Sequence, residues 1–319
     1  MSEIAILGAG AFGTALAISL AKSGKRVVLI ARDAAHVAEM TGTRENRRLP
    51  GHRLPDGLAP ALQLPDTAET VLAAIPTQAV HGYLGPLAKS LSGRHVVACN
   101  KGIELKSGLG PTGIIADACP EAIPAVLSGP GFASDIAAGL PTALTIAADD
   151  DAVAETLQNR LSSANIRLYR STDIAGVEMG GALKNVIAIA AGLAIGAGLG
   201  ESARAALITR GYAELVRFAA TRGARAETLA GLAGLGDLVL TCTSAKSRNF
   251  SHGFALGRVD APPQGKTVEG VATAQIVSKL AKQASIAVPV TDLVVAILAG
   301  RINTEEAREI LLSRPLKKE

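Results

Sequence analysis

The sequence predicts an α/β N-terminal half carrying a doubly wound parallel sheet, followed by an all-α half. Three observations predict it. Short β-rich runs, "EIAILG", "RVVLIA", "TVLAAI", "HVVACN", "PAVLSG", "TALTIAA" and "IRLYRS", recur through the first half with helix-like segments between most of them. From about Asp173 these runs stop and helical patterns follow, among them "ESARAALITRGYAELVRFAATRG", "VEGVATAQIVSKLAKQA" and "TEEAREILL". Hydrophobic residues make up 48% of the chain but aromatics only 3%, with no Trp, so the core must come from Ala, Leu, Ile and Val, the composition of helices packed on a parallel sheet. At 319 residues the chain has room for two domains, and the change of pattern divides it into 1–175 and 176–319 with no Pro/Gly/Ser linker between them.

Composition also excludes function classes. The net charge of +4 is small for this length and its lysines and arginines are interspersed with acids, so nucleic acid finds neither a basic block nor stacking platforms. Cys99, Cys119 and Cys242 form no C-x-x-C pair, and the five histidines show no metal-ligand spacing. The expectation is a reduced, cytoplasmic chain with no metal. The apolar start lacks the basic n-region of a signal peptide, and the run from Val186 to Gly200 is short of the roughly 20 residues a bilayer span needs, so no integral membrane segment is expected.

The first element opens on "GAGAFG", Gly8 to Gly13, between the strand "IAIL" and the helix "AFGTALAISLAKSG". In that context G-x-G-x-x-G is the fingerprint of a Rossmann-like dinucleotide site: Gly8 for the tight turn, Gly10 for backbone approach to a pyrophosphate, Gly13 for close helix–strand packing. The bland alternative is an ordinary glycine-rich βα turn. The second strand ends in Arg32 rather than in the acid that grips an adenosine ribose, which favours NADP over NAD, while the adjacent Asp33 keeps NAD open.

Further along, "NKGIE" follows a strand and puts Lys101 at the carboxyl edge of the sheet, where open α/β folds bind ligands. "SGPGFA", Ser128 to Ala133, supplies a glycine-rich turn after another strand. The helical pattern "MGGALKNVIAIAAGLA" then sets Lys184 and Asn185 in an apolar run. On its own helix face Lys184 meets only Gly180, Gly181, Ile187, Ala188 and Ala191, so either a distant group pairs with the ammonium or the side chain snorkels to water. "GLGDLVLTCTSAKSRNF" offers Asp237, Thr241, Arg248 and Asn249 close together, the last two being natural phosphate ligands. Singly, each has a structural explanation: Lys101 a loop charge, Asp237 a helix cap, Arg248 a surface residue.

Taken in order, "GAGAFGTALA", "NRRLPG", "AIPTQAV", "NKGIE", "SGPGFASDIAAGLPTAL", "GGALKNVIAIAAG", "ARAALITRG", "GLAGLGDLVLTCTSAKSRN" and "TVEG" resemble the bacterial-type NAD(P)-dependent glycerol-3-phosphate dehydrogenases over nearly the whole chain. The resemblance implies a 6-phosphogluconate-dehydrogenase-like fold and the interconversion of dihydroxyacetone phosphate and sn-glycerol 3-phosphate, supplying phospholipid synthesis, with a homodimer left open as its assembly. It implies that Lys184 transfers the proton with Asp237 or Asn185 orienting it. Substrate contacts fall on Lys101, Gly129, Gly131, Thr241, Ser247, Arg248 and Asn249. Cofactor contacts fall on Gly8, Gly10, Ala11, Phe12, Gly13, Arg32, Lys101, Ala133, Arg248, Thr267 and Glu269.

The chain departs from the family pattern at several points. Phe12 replaces a Trp or Tyr, Gly131 a Ser or Thr, "GLGESAR" a G-D-N form, and "LQLPDTAETVLAAI" reads as though a helix were missing. Other dehydrogenases of similar build, acting on 6-phosphogluconate or 3-hydroxyacids, space their lysine and asparagine by a helical turn; here the two are adjacent. A non-catalytic dinucleotide sensor would have lost the lysine or the carboxylate, and both are present.

Overall fold

The computed structural model describes residues 3–261, 267–303, 306, 307 and 309. The α/β half runs β1 (Glu3–Leu7), α1 (Ala11–Lys22), β2 (Val27–Ile30), α2 (Ala34–Thr43), β3 (Leu58–Ala61), β4 (Ala68–Ala73), α3 (Val80–Leu84), α4 (Ala88–Leu91), β5 (His95–Ala98), α5 (Pro111–Ala118), β6 (Ile123–Ser128), α6 (Ala133–Ala138), β7 (Thr142–Ala147), α7 (Asp151–Leu161) and β8 (Ile166–Ser171). The eight strands form one sheet in the order β3-β2-β1-β4-β5-β6-β7-β8, reversing direction of winding at β1 as a doubly wound sheet does. The inner strands are buried on both faces, which is why they read as unbroken apolar runs.

Two features correct the sequence reading. The sheet is not wholly parallel: β7 pairs with β6 antiparallel, Leu127 opposite Ile146, and β8 follows β7 in parallel. Alternating hydrophobicity marks strands but carries no direction. Here the chain leaves β6 through Gly129 at φ +136, and the short α6 packs on α1 while β7 returns beside β6. The other feature is β3, missed because "LAPA" is short and holds Pro60; as an edge strand it tolerates the lost N–H. Residues 62–67 pass from β3 to β4 without a helix, as the short connection predicts.

The helical half comprises α8 (Ile174–Gly196), α9 (Gly200–Ala220), α10 (Ala226–Ala230), a π-helical turn over Leu232–Gly236, α11 (Asp237–Cys242), α12 (Arg248–Gly257), α13 (Glu269–Gln283) and α14 (Pro289–Leu298). The pattern "TEEAREILL" falls mostly outside the described residues. α8 is the axis, buried from Gly176 to Ala194. At 23 residues it is longer than the apolar run suggested, and by length and composition alone it could cross a membrane; yet 89% of its most apolar window is buried inside the protein. Its Gly192 and the facing Gly253 of α12 lie so close to the partner backbone that a Cβ on either would collide with a carbonyl, of Phe250 and of Ile189 respectively. This crossing brings the first residues of α12 beside Asn185.

Candidate active site

The turn after β1 is built for an anion. Gly8 sits at φ +108, and a Cβ there would lie 2.5 Å from the Ala74 carbonyl oxygen and 2.9 Å from Ile75, so only glycine fits. A Cβ on Gly13 would strike the Gly8 carbonyl, whereas one on Gly10, the residue that N-caps α1, would meet nothing within 4 Å. No side chain caps α1 and no acid lies in its first turn, which leaves its orphan N–H groups and the positive end of its dipole without a side-chain partner. Ala11 and Phe12 form the first turn of α1. The Phe12 ring lies 5.9 Å beneath the Lys101 ammonium, which joins this turn to a second feature.

That feature is a buried carboxylate gripped by two lysines. Lys184, 7% exposed on α8, donates to Asp237 Oδ1 and to Thr241 Oγ1, both at 2.7 Å. Lys101, from the loop after β5, donates to Asp237 Oδ2 at 2.7 Å and to the Gly129 carbonyl at 2.9 Å. Asp237, 1% exposed, heads α11 immediately after the π-helical turn, a distortion that recurs at functional sites. Gly180 of α8 admits that turn: a Cβ there would lie 2.6 Å from the Ala233 carbonyl oxygen. Lys184 therefore does not snorkel. Its partner comes from another element, as the apolar face of α8 requires.

The electrostatics follow from burial. Desolvation pushes Lys184 down to about 8, against the opposing pull of Asp237 and with the help of the Lys101 charge. Burial alone would raise the Asp237 carboxyl, but Lys101 and then Lys184 hold it below its usual range. Desolvation drives the Cys99 and Cys242 thiols up to about 12, so neither supplies a thiolate here. The cluster thus contains an amine able to gain or lose a proton near neutral pH and a carboxylate that stays ionised.

Around it the predicted residues divide. Asn185 does not touch the Lys184 ammonium: its Nδ2 donates to the Lys101 carbonyl at 3.0 Å and its Oδ1 accepts from Asn249 at 2.8 Å. Asn249 Oδ1 in turn accepts from the Gly270 N–H at 3.0 Å, and the Ser247 hydroxyl caps α12 by accepting from Phe250 N–H at 3.2 Å. Between Ser247 and Asn249, Arg248 is exposed; its side chain makes no hydrogen bond or ion pair among the described residues, although its charge acts on Glu269. Gly131 and Ala133 lie half-buried beside the Gly129 turn, while Thr267 and Arg32 are exposed, Arg32 just past β2.

Glu269 has partners that its motif did not reveal. Its carboxylate accepts from the Thr77 N–H at 3.1 Å and from the Lys101 N–H at 3.2 Å, so it fastens α13 to two loops of the α/β half. Burial raises its pKa against those hydrogen bonds. Thr77, which also receives a 2.9 Å bond from Asn100 Nδ2, was not singled out by sequence; its motif "AIPTQAV" was visible, but its partners lie far away in the chain. Two buried polar atoms nearby, Asn100 Oδ1 and Ser128 Oγ, have no hydrogen-bond partner among the described residues.

Comparison with known proteins matches both halves. The model for the NAD-dependent glycerol-3-phosphate dehydrogenase N-terminus matches residues 3–154, and that for the C-terminus residues 173–309. The chain is 55% identical, over 99% of its own length, to the whole glycerol-3-phosphate dehydrogenase (NAD(P)+) of Paracoccus denitrificans, and 54% identical over the same share to all of that of Ruegeria sp.. It superposes on the crystal structure of glycerol-3-phosphate dehydrogenase from Coxiella burnetii with a TM-score of 0.93 at 37% identity, covering 98% of this chain and 99% of that one. D-mandelate dehydrogenase, solved with NADH and anilino(oxo)acetate, shares the fold alone, at a TM-score of 0.63 and 17% identity over 96% of this chain and 99% of that one. With the glycine turn, the buried lysine pair and both halves matched, the chain belongs to the NAD(P)-dependent glycerol-3-phosphate dehydrogenase family.

Proposed function

We infer that this chain interconverts dihydroxyacetone phosphate and sn-glycerol 3-phosphate with a nicotinamide coenzyme, in the cytoplasm, as a source of glycerol 3-phosphate for phospholipid synthesis. One observation carries the reading: the Lys184 ammonium, brought down to about 8 by burial, is bonded to Asp237, whose other oxygen takes Lys101, and Lys101 in turn lies over the Phe12 ring of the dinucleotide turn. A coenzyme fits the chain on its own terms, since a Cβ on Gly10 would meet nothing within 4 Å and no side chain caps the N–H groups of α1. When bound, the nicotinamide supplies the hydride.

The remaining work belongs to side chains. Lys184 gives a proton to the substrate oxygen during ketone reduction and takes it back during alcohol oxidation. Asp237 keeps that ammonium from neutralising too early and aims it, and Thr241 fixes a second of its N–H directions. Lys101, bonded to the other carboxylate oxygen, presents a second positive charge to the developing alkoxide. Arg248, exposed and unpaired among the described residues, grips the substrate phosphate by a forked, charge-assisted contact. Asn249 and Asn185 support it by locking the first turn of α12 to α8 and to the Lys101 carbonyl.

Arg32 favours NADP, whose 2′-phosphate it would pair with. Residues 1–175 serve chiefly the coenzyme and 176–319 carry the proton donor, the change from sheet to helices falling at the start of α8. The deciding assay offers purified protein NADPH and NADH with dihydroxyacetone phosphate, and the oxidised coenzymes with 6-phosphogluconate. Oxidation of NADPH with the triose phosphate is expected; turnover of the gluconate alone would overturn the reading.

A further inference from the structure

Asn46, in the "NRRLPG" stretch, has no part in the site described above. It is nonetheless wholly buried at 0% exposure, and every hydrogen-bonding position of its amide is occupied. Nδ2 donates to the Ala9 carbonyl at 3.1 Å and to Thr14 Oγ1 at 2.7 Å, while Oδ1 accepts from the Arg48 N–H at 2.9 Å and lies 3.0 Å from His36 Nε2. Ala9 is the middle of the glycine turn, and Thr14 is in α1. The amide orientation is dictated by the backbone groups it meets, because the reverse would set an oxygen against the Ala9 oxygen and an N–H against the Arg48 N–H. Since Oδ1 can only accept, His36 must carry its proton on Nε2.

We propose that Asn46 is a positioning residue for the dinucleotide turn, aiming the Gly10 N–H at the coenzyme pyrophosphate. The argument rests on peptide geometry. In a trans peptide the C=O and the following N–H point in opposite directions, so holding the Ala9 carbonyl toward Asn46 turns the Gly10 N–H away from it, at a residue where even an added Cβ would meet nothing within 4 Å. The Thr14 bond fixes α1 against the same amide, so turn and helix keep one relative orientation.

Asn46 is itself held rigidly. It follows Arg44, whose backbone is left-handed at φ 54, and the loop closes on itself through Leu54 N–H to the Arg44 carbonyl and Leu49 N–H to the Asn46 carbonyl, both at 2.8 Å. Leu49 and Leu54 are buried in the core beside α1. Asparagine is demanded because the pocket needs two donors and two acceptors on one short planar group; aspartate would present only acceptors to the Ala9 oxygen, and serine would not reach all four partners.

The inference rests on the coenzyme reading, and its test separates the two. NADP+ and NAD+ binding are measured by calorimetry on the parent, Asn46→Asp and Asn46→Ser, at about pH 8.5 and about pH 5.5, with thermal unfolding recorded alongside. His36 is the titratable side chain touching the amide among the described residues and would face the new carboxylate, so the parent and both variants are also measured in a His36→Gln background, where any pH dependence belongs to position 46.

At the higher pH, Asn46→Asp is expected to bind both coenzymes on the order of tenfold more weakly, because an ionised carboxylate cannot donate to Ala9. At the lower pH, in the His36→Gln background where no imidazolium holds the carboxyl ionised, burial favours its protonated form, which donates again, so the deficit is expected to shrink to within about threefold. Asn46→Ser should stay weak at both. Variants that bind like the parent would overturn the proposal, as would an Asp variant with no recovery in acid, or failure of both variants to fold. A parent that binds neither coenzyme would instead overturn the coenzyme reading itself.

Discussion

The glycine turn at Gly8–Gly13 and the Lys101–Asp237–Lys184 cluster are neighbours in space but are specified in opposite ways. The turn is a contiguous hexapeptide whose demands are mostly its own: a positive φ at Gly8 and close approach at Gly13. The cluster is assembled from a sheet-edge loop, a core helix and a helix started by a π-helical turn, with Lys184 and Asp237 separated by 53 positions and Lys101 and Asp237 by 136. Each of its charges is tolerable only because the others are present. Local sites read easily and bind; assembled sites read poorly and react.

Breaking the assembled side should have the larger consequences. Lys184→Met keeps the stem's volume but removes the ammonium, and general acid catalysis is worth roughly 10² to 10⁴ in rate, so kcat for ketone reduction should fall by that factor. Asp237 would retain Lys101 and Thr241, so the fold and NADP+ binding should persist in thermal unfolding and titration. Near-normal turnover would strip Lys184 of its role.

The pH profile of the parent sharpens the same point. Reduction needs Lys184 protonated, so its rate should fall as pH rises through about 8, whereas alcohol oxidation needs the neutral amine and should rise through the same value. Profiles that move together in both directions would assign that pKa to another group.

Arg248→Ala should cost about 2–4 kcal/mol in kcat/KM for dihydroxyacetone phosphate while scarcely altering any measurable turnover of unphosphorylated dihydroxyacetone. Equal losses on the two substrates would move the arginine to the coenzyme or the fold.

Glu269→Gln tests the fastening between the two regions. The amide can still accept one of the two backbone N–H groups but offers an N–H to the other, so urea unfolding should show a loss of about 1–3 kcal/mol. An unchanged midpoint would mean that α13 is held by packing alone.

The smallest effect is expected on the local side. Arg32→Ala should raise KM for NADPH by roughly tenfold and leave KM for NADH nearly unchanged, because only the former carries the 2′-phosphate. Equal shifts would reduce Arg32 to a stacking contact.

Sequence alone determined the alternation of strands and helices, the glycine turn, the switch to an all-helical half near Asp173, and the choice facing Lys184 between a distant partner and an escape to water. These rest on period-2 and period-3.6 patterns and on the φ a glycine must adopt, all confined to a few consecutive residues. Tertiary structure decided the rest. It reversed β7 and β8, because a strand's direction follows from its neighbour and not from its own pattern. It also named Asp237 as the partner of both lysines, joined Asn249 to Asn185 of α8 and the Ser247 hydroxyl to the Phe250 N–H, and joined Glu269 to Thr77, 192 positions away. Asn, Ser and Glu can bond equally well to backbone, side chain or ligand, and which they meet is settled only when burial forces every donor and acceptor to find whatever partner the packed elements place within about 3 Å.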